Sequence, residues 1–537
     1  MRPLSPALAT LPRRPRVLLS TSPFEVFFGR SFPYVPSGLA TLAASVDAAG
    51  YPVRFINPDS LAFPAFGASR DAIDPAQYEK NLFDPSFFAW QKLEAFLRTQ
   101  AFDVFGISVM ISQFAAAHEL ARLAKRVNPR AVIVMGGIGV TVKPELAFSE
   151  GATVDYVIRG EGEVSFVALL AALCGHGRLE GIPGLSRRSD GPSTDRTAPA
   201  LLPDLDRLPF PAKHLYLPLS PTDRLPPAAY GRLFASRGCP YRCTYCDSNK
   251  LWTRKPRFHG PEYVVEQLRE LRARFGVRLV VFDDDTFALD RHRTAELLER
   301  LRRARLDVVW RCETRANLVT SELLRAMKRA GCRSITLGIE SGSPRTIARV
   351  KKGTTREEML EAARLIKSEG LLLNAFFMFG FPWETEDDFR QTLEMVHRVD
   401  ANGEVGSVHS YFIPYPGTEL HEELRRAGEL PTAPLHQLHH HNASLRLAKG
   451  IPPARYPELT AEIDRTLARL NLRTRSRLGL THPRYFLLNL EQRGYLARRF
   501  LLGAARGPLA ALARRTIGVA TAATRAPFAQ RDLKWRA

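Results

Sequence analysis

Apolar segments of strand length alternate with helical segments along most of the chain, and this alternation constrains the fold more than any other feature. In the first run, helical patterns at 37–49 and 115–127 lie between apolar segments. Because parallel strands need a long crossover connection, usually a helix, the pattern predicts a doubly wound parallel sheet. Its predicted strands are Arg16–Ser20, Val53–Asn57, Val104–Val109 and Ala131–Gly137.

The second run contains six strand–helix units. Six parallel strands with outer helices predict a partial (β/α)6 barrel, in which functional groups lie at the carboxyl ends of the strands. Thr320, Thr355 and Thr385 are N-cap signals for three of the helices. The predicted strands are Leu233–Ser236, Arg278–Phe282, Asp307–Cys312, Ser334–Ile339, Leu372–Phe379 and Ser407–Ile413. The predicted helices are Pro261–Phe275, His292–Ala304, Ser321–Ala330, Arg356–Ser368 and Glu386–Val399.

Prolines and polar residues concentrate between the two runs, for example at 208–211 and 225–227. Proline fixes φ and removes a backbone donor, so this stretch predicts an extended connector between two domains. A chain of 537 residues is expected to form more than one domain. The predicted divisions are a flexible N-terminus at 1–14, the first domain at 15–180, a Pro-rich linker at 181–230, the barrel at 231–425 and a basic, mostly helical region at 426–537.

Three cysteines, Cys239, Cys243 and Cys246, follow the first predicted barrel strand with the spacing C-x-x-x-C-x-x-C. Three thiolates on one short loop can bind three irons of a [4Fe–4S] cluster and leave the fourth iron open to a small-molecule ligand. The alternatives are a zinc site or three unrelated thiols. Zinc sites usually pair C-x-x-C with a second Cys/His pair, and none stands out here. Cys312 and Cys332 lie in or near strands and are predicted to be core thiols.

The cysteine loop resembles that of the radical S-adenosylmethionine (SAM) enzymes. In that family the amino and carboxylate groups of SAM chelate the open iron, and one electron cleaves the sulfonium to a 5′-deoxyadenosyl radical. The resemblance therefore implies a [4Fe–4S] cluster, SAM and an electron donor such as flavodoxin or ferredoxin. It spans about residues 15–425 and includes the pattern at 414–420 after the sixth strand.

Polar residues at successive barrel strand ends fit the same family, because SAM carries an ammonium group, a carboxylate and ribose hydroxyls. The resemblance places Asp284 and Asp285 near the methionyl amine and Arg315 near its carboxylate. It also places Glu340 and Ser341 near the ribose and Tyr245 at the adenine. For each residue alone, a helix cap or a surface ion pair is the alternative.

The first domain resembles the cobalamin-binding domain of B12-dependent radical SAM proteins, a Rossmann-like fold. The matching segments are 106–108, 136–137 and 155–163, and they imply that Ser108, Gly136, Gly137, Gly160 and Glu161 contact cobalamin. The D-x-H-x-x-G motif that supplies a lower axial histidine in cobalamin-dependent mutases is absent. The alternatives are a related scaffold without cobalamin, or a nucleotide site, although G-x-G-x-x-G is missing after strand one.

These resemblances imply a methyltransferase that acts on a weakly activated carbon of a small-molecule or lipid substrate. Cyclisation or rearrangement without net methyl transfer is the second hypothesis. A methylthiotransferase would need three N-terminal cysteines for another cluster, and only Cys174 precedes the linker. A non-enzymatic cobalamin or redox sensor would not require the SAM-directed residues. No nucleic-acid partner is expected.

The C-terminal region is strongly basic: from Arg446 onward, nineteen Lys or Arg residues face five Asp or Glu residues. Two basic amphipathic helices are predicted within 495–523, and the alternatives for them are contact with a membrane surface or packing on the enzyme itself. The cluster at His436, His439, His440 and His441 is interpreted as a solvated loop rather than a metal site. Without an apolar leader and with scattered remaining cysteines, the chain is predicted to be cytoplasmic, and a peripheral position at the inner face of the membrane is the alternative.

Overall fold

The computed structural model describes residues 11, 14–28, 33–61, 75–149, 151–190, 197–219, 225–439 and 442–489. The first domain is a six-stranded sheet in the order β2-β1-β3-β4-β5-β6 with helices on both faces. Its strands are β1 Val17–Thr21, β2 Val53–Ile56, β3 Val104–Ser108, β4 Val132–Gly136, β5 Tyr156–Ile158 and β6 Leu185–Arg187. Its helices are α1 Ser37–Ala48, α2 Pro75–Phe83, α3 Phe88–Arg98, α4 Phe114–Val127, α5 Ile138–Val142 and α6 Gly162–Leu173.

The predicted doubly wound sheet is confirmed, and apolar cores fill both of its faces. Strands β1 to β5 are parallel, while β6 pairs antiparallel with β5. The stretch predicted to be only an extended connector therefore begins with a strand of the first sheet. A three-residue strand of Leu, Ser and Arg is too short to show an alternating pattern, which is why the sequence did not indicate it.

The second domain is an open barrel of parallel strands in the order β7-β10-β11-β12-β13-β14. A separate hairpin of β8 and β9 frames the segment that carries the cysteines. The strands are β7 Arg232–Leu233, β8 Ser236–Arg237, β9 Arg257–Phe258, β10 Leu279–Phe282, β11 Val309–Thr314, β12 Cys332–Glu340, β13 Leu372–Phe379 and β14 Ser407–Tyr411. The helices are α7 Ser248–Leu251, α8 Pro261–Phe275, α9 Arg291–Ala304, α10 Ser321–Arg329, α11 Pro344–Arg349, α12 Arg356–Ser368, α13 Glu386–Val399, α14 Glu419–Arg426 and α15 Tyr456–Thr481.

The barrel forms as predicted, with one difference at its first strand. The apolar run predicted as a single strand at 233–236 divides into β7, which pairs with β10, and β8, which pairs with β9. All three predicted threonine N-caps accept hydrogen bonds from the first turn of their helices. Cys312 and Cys332 are buried in the barrel core, which confirms their interpretation as core thiols.

The C-terminal helical region closes the base of the barrel. Leu478 and Tyr485 pack against Leu279, Val309 and Leu372, which begin or lie near the beginnings of barrel strands. The opposite, carboxyl-terminal ends of the strands carry the cysteine loop and the polar residues. Among the helices that the structure describes, none is long and apolar enough to cross a bilayer.

Candidate active site

The three cysteines lie on one loop at the carboxyl ends of the barrel strands. The Sγ atom of Cys239 lies 3.6 Å from the hydroxyl of Thr286, and the thiol of Cys243 accepts a hydrogen bond of 3.6 Å from Arg315. Burial raises the pKa of the Cys246 thiol to about 12, so this group is neutral in the free protein. Thiolate is the form that binds metal, and binding would therefore release a proton from Cys246.

The chemistry of these donors fits an iron–sulfur cluster. Three soft thiol groups on one loop are the ligands that such clusters take, and in a cubane each thiolate binds a different iron. The sulfur atoms therefore do not have to converge on one point. In the part of the chain that the structure describes, no three His, Cys, Asp or Glu side chains converge as a single metal ion would require.

Arg315 lies directly beside the cysteine loop. It is buried, its guanidinium group lies 3.5 Å from the centre of the Tyr241 ring, and it donates to Cys243 and to the carbonyl of Lys352. A guanidinium group is a rigid, permanently charged fork that recognises carboxylates. The predicted pairing of Arg315 with the methionyl carboxylate thus stays a proposal that agrees with its place beside the thiols.

Glu340 lies at the end of β12 and is held by a lysine that the sequence analysis missed. The buried Lys352 donates to Glu340 over 2.9 Å and to the hydroxyl of Tyr245 over 3.4 Å. Glu340 has a φ of +67°, and a register shift precedes it in the strand. Gly338 leaves room for the pair, since a Cβ atom there would lie 2.6 Å from the Glu340 carboxylate and 3.0 Å from Lys352. Such left-handed, strained backbone is concentrated at functional sites.

The two aspartates predicted to meet the methionyl amine have different surroundings. Asp284 is buried and accepts from the amide of Ala235 over 2.7 Å and from the hydroxyl of Ser236 over 2.5 Å. Burial raises its pKa to about 6. These bonds hold the strand that leads to the cysteines, and the predicted place of Asp284 near the methionyl amine stays a proposal. Asp285 is exposed and accepts from Ser248 over 2.6 Å, and its predicted role stays a proposal.

Ser341 is also bonded to groups of the protein. Its hydroxyl is fully buried, lies 3.0 Å from that of Thr392 in α13 and accepts from the amide of Ser343. These hydrogen bonds connect the end of β12 to the helix behind it. The predicted contact of Ser341 with the ribose stays a prediction.

In the first domain, the predicted glycines form a tight edge at the carboxyl ends of the sheet. Gly136 ends β4 beside Ser108, which ends β3. Gly137 has a φ of +96°, and a Cβ atom there would lie 2.9 Å from the carbonyl oxygen of Val109 and 3.1 Å from the Ser108 hydroxyl. Only glycine fits this position without strain. Ser108, Gly136 and Gly137 are partly exposed, and ligands of such sheets bind beyond the carboxyl ends of the strands, so the predicted cobalamin contacts stay a proposal that agrees with this position.

Gly160 continues the same edge. It has a φ of +75°, and its amide donates to the hydroxyl of Thr141 in α5 over 2.9 Å. Helix α5 lies against α7, which directly follows the cysteine loop. A Cβ atom on Gly417 would also lie 2.8 Å from the Val142 side chain, so the barrel approaches α5 closely. The two predicted cofactor edges therefore face each other.

Glu161 lies at this interface, where its carboxylate is bonded to groups of the protein. It is buried and accepts from Arg237, from both terminal nitrogens of Arg257 and from the amide of Leu202, at 2.7 to 2.9 Å. Both of its oxygens are thus occupied by groups of the protein. Its observed role is in the contact between the two domains, and the predicted contact with cobalamin stays a prediction.

A cavity of about 320 Å³ opens beside the cysteine loop. Cys243 and Cys246 line it, Lys250 and Arg254 follow them in the chain, and Thr418 and Glu422 are the N-cap and a first-turn residue of α14. The pattern at 414–420 that recurs in the family thus lines the space next to the cysteines.

The interpretation of the histidine cluster as a solvated loop is wrong for His439. This side chain is buried among the rings of Phe24, Phe28 and Tyr78, with centroid distances of 5.2 to 5.9 Å. His436 lies 3.3 Å from the carboxylate of Glu79. The chain after the barrel therefore folds back onto the first domain. His440 and His441 lie outside the described residues, as does the segment at 495–523.

Two families match the chain. The B12 binding domain matches residues 30–170, and the Radical SAM superfamily matches residues 233–396. A protein of Pyrococcus horikoshii named as an uncharacterized methyltransferase is 34% identical over 322 residues, which cover 60% of this chain and 69% of the relative. The anaerobic magnesium-protoporphyrin IX monomethyl ester cyclase of Rubrivivax gelatinosus is 28% identical over 60% of this chain, which spans 58% of the cyclase.

A solved structure extends the likeness across both domains. The radical SAM methyltransferase TsrM from Kitasatospora setae, with cobalamin and a [4Fe–4S] cluster bound, superimposes with a TM-score of 0.57. The match covers 78% of this chain and 76% of TsrM at 19% identity, which establishes a shared fold. Together with the cysteine loop and the glycine edge, these matches show that the chain belongs to the B12-dependent radical SAM enzymes, with a [4Fe–4S] cluster, SAM and cobalamin as cofactors.

Proposed function

We propose that the protein transfers a methyl group to a weakly activated carbon of a small-molecule or lipid substrate. The observation that carries this proposal is that the glycine edge of the first domain and the cysteine loop of the barrel face each other across α5 and α7. When bound, the cluster and SAM supply a 5′-deoxyadenosyl radical, and cobalamin supplies a methyl group. A substrate held between the two edges is accessible to both.

The described residues divide into two binding groups under this proposal. Cys239, Cys243 and Cys246 hold the cluster, and Arg315 supplies positive charge beside it. Tyr245, Asp285 and Glu340 bind SAM, with Lys352 orienting Glu340. The cobalamin site uses the strand ends of the first domain, namely Ser108, Gly136, Gly137 and Gly160.

The proposal is tested by its product. The protein is purified without oxygen, its cluster is reconstituted and cobalamin is added. In addition, extracts of cells with and without the gene are compared by mass spectrometry. We expect one compound to gain a methyl group in the presence of the enzyme and SAM. A product that forms without a methyl gain would instead favour cyclisation or rearrangement, which the similarity to the cyclase makes the second candidate.

The bound corrinoid is expected to have no histidine below the cobalt. We predict binding of about one corrinoid per chain, because the sequence lacks D-x-H-x-x-G and the edge is built from glycine backbone. Electron paramagnetic resonance of the cob(II)alamin form should then show no nitrogen splitting from a protein imidazole. A folded protein that fails to bind hydroxocobalamin at micromolar concentration would contradict this prediction.

The basic C-terminal segment is proposed to contact anionic lipid. Each basic residue near an anionic surface contributes roughly 1 kcal/mol, so the arginines within 495–523 should give measurable, salt-sensitive binding. Co-sedimentation with vesicles should require anionic lipid and weaken as salt rises. Truncation after Leu490 should abolish it and leave SAM cleavage intact. Full-length protein that ignores anionic vesicles at low salt would remove the support for a lipid substrate.

A further inference from the structure

Four charged side chains form a buried group at the contact between the two domains. Arg237 donates to Glu161 over 2.9 Å and to Glu163 over 2.6 Å, and Arg257 donates to Glu161 over 2.8 Å. The side chains of Glu161 and Arg237 are 1% and 6% exposed. We call Glu161, Glu163, Arg237 and Arg257 the inter-domain ion cluster.

The positions of these residues in the chain link the two cofactor edges. Glu161 and Glu163 directly follow Gly160 at the glycine edge, and they flank the first residue of α6. Arg237 precedes Gly238 and Cys239. In the β8–β9 hairpin Arg237 pairs with Arg257, so the two arginines hold both ends of the segment 238–256, which carries all three cysteines.

The electrostatics of the group favour one fixed arrangement. Two carboxylates face two guanidinium groups, so the charges balance. Burial opposes the ionisation of Glu161, but the hydrogen bond from Arg257 and the charge of Arg237 outweigh it and hold its pKa below the ordinary value. The guanidinium of Arg237 also lies 4.9 Å from the centre of the Trp252 ring, within the same segment. A planar guanidinium group between two carboxylates fixes the direction of the hydrogen bonds as well as their length.

We propose that the inter-domain ion cluster is a positioning device that sets the distance between the cobalamin edge and the iron–sulfur loop, with Arg237 as its central positioning residue. This inference rests on the proposed function, because that function requires both cofactors to reach one substrate. Buried ionic contacts contribute to register and specificity in some proteins, even where apolar packing would be more stable. In this protein the buried ions would fix the position of one domain relative to the other.

The test measures the cofactor separation without any substrate. Protein loaded with the cluster and cobalamin is reduced so that cob(II)alamin and the reduced cluster are both paramagnetic. The relaxation of the cobalt signal then reports the dipolar coupling, which falls with the cube of the separation. The variants are Glu163→Gln and Arg237→Lys, because lysine keeps the charge but cannot bridge two carboxylates. Arg311→Lys is the control, since Arg311 pairs with the buried Glu404 over 2.6 Å in the barrel, away from both edges.

We expect Glu163→Gln and Arg237→Lys to retain iron and corrinoid while the coupling weakens several-fold or spreads over a broad range. Arg311→Lys should keep the wild-type coupling. Unchanged coupling in both loaded variants would overturn the proposal. So would failure of both variants to fold while the control folds, because the group would then be required for stability alone.

A second measurement separates this inference from the proposed function. Amide hydrogen exchange in the segment 238–256 needs no cobalamin, and it should accelerate in Glu163→Gln but not in Arg311→Lys. If the wild-type protein binds no cobalamin, the proposed function fails, and exchange alone decides the positioning role. Equal exchange in the wild type and in Glu163→Gln would overturn that role.

Discussion

Replacement of Cys243 by alanine is expected to remove most of the iron and to abolish formation of 5′-deoxyadenosine. Cys243 supplies one of three thiolates on the loop, and its thiol already accepts a hydrogen bond from the buried Arg315. The variant has two protein thiolates for the cluster instead of three, and the lost thiolate leaves a second iron open to solvent. Iron content after anaerobic reconstitution and 5′-deoxyadenosine measured by chromatography report the two losses. Cys239→Ala and Cys246→Ala should behave in the same way.

The matched control is Cys174→Ala. Cys174 is buried at the end of α6 in the first domain, far along the chain from the cysteine loop. Its replacement should leave iron content and SAM cleavage at the wild-type level. A Cys243→Ala protein that cleaves SAM as fast as the wild type would refute the assignment of the cluster ligands.

Most of the architecture could be predicted because its signals are local. Helix α8 begins with Pro261 and is followed by Gly276, whose φ of +67° ends it, and both signals are visible in the sequence. The capping box of Thr355 and Glu358 marks the start of α12 in the same way. By contrast, the division of one apolar run into β7 and β8 depends on a partner strand about twenty residues away in the chain, which no local pattern encodes.

The site could be predicted only in part, for the same reason. The cysteine loop is a short-range pattern, so the sequence alone could place its three thiols on one loop. Glu161 was assigned to a cofactor because it follows a strand-end glycine, whereas its partner Arg237 lies 76 residues further on. Lys352 was missed because its contact with Tyr245 spans 107 residues. The sequence signal for this lysine was the group of basic and glycine residues that follows α11. A sequence does not show, however, which side of a strand end the segment after a helix covers.

Lys352→Met is expected to weaken SAM binding by at least about tenfold, since losing a charged hydrogen-bond partner typically costs about 1.5–3 kcal/mol. The change leaves the buried Glu340 carboxylate without the ammonium group 2.9 Å away. Removing one partner of a buried ion pair leaves the other charge uncompensated, so Glu340 is no longer held in place as an acceptor for ribose hydroxyls. The Lys352 carbonyl also accepts from Arg315, so movement of this segment would disturb a second SAM-directed residue.

The dissociation constant of SAM is measured by equilibrium dialysis on reconstituted protein. A second readout is the change that SAM causes in the paramagnetic resonance spectrum of the reduced cluster. Lys328→Met is the matched control, because Lys328 is exposed and donates to the carbonyl of Glu369 near the base of the barrel, away from the cysteine loop. It should bind SAM as the wild type does, and Lys352→Arg should recover part of the affinity. Wild-type affinity in a folded Lys352→Met protein would show that Glu340 needs no positioning by Lys352, and that its strained backbone alone fixes the carboxylate for the ribose.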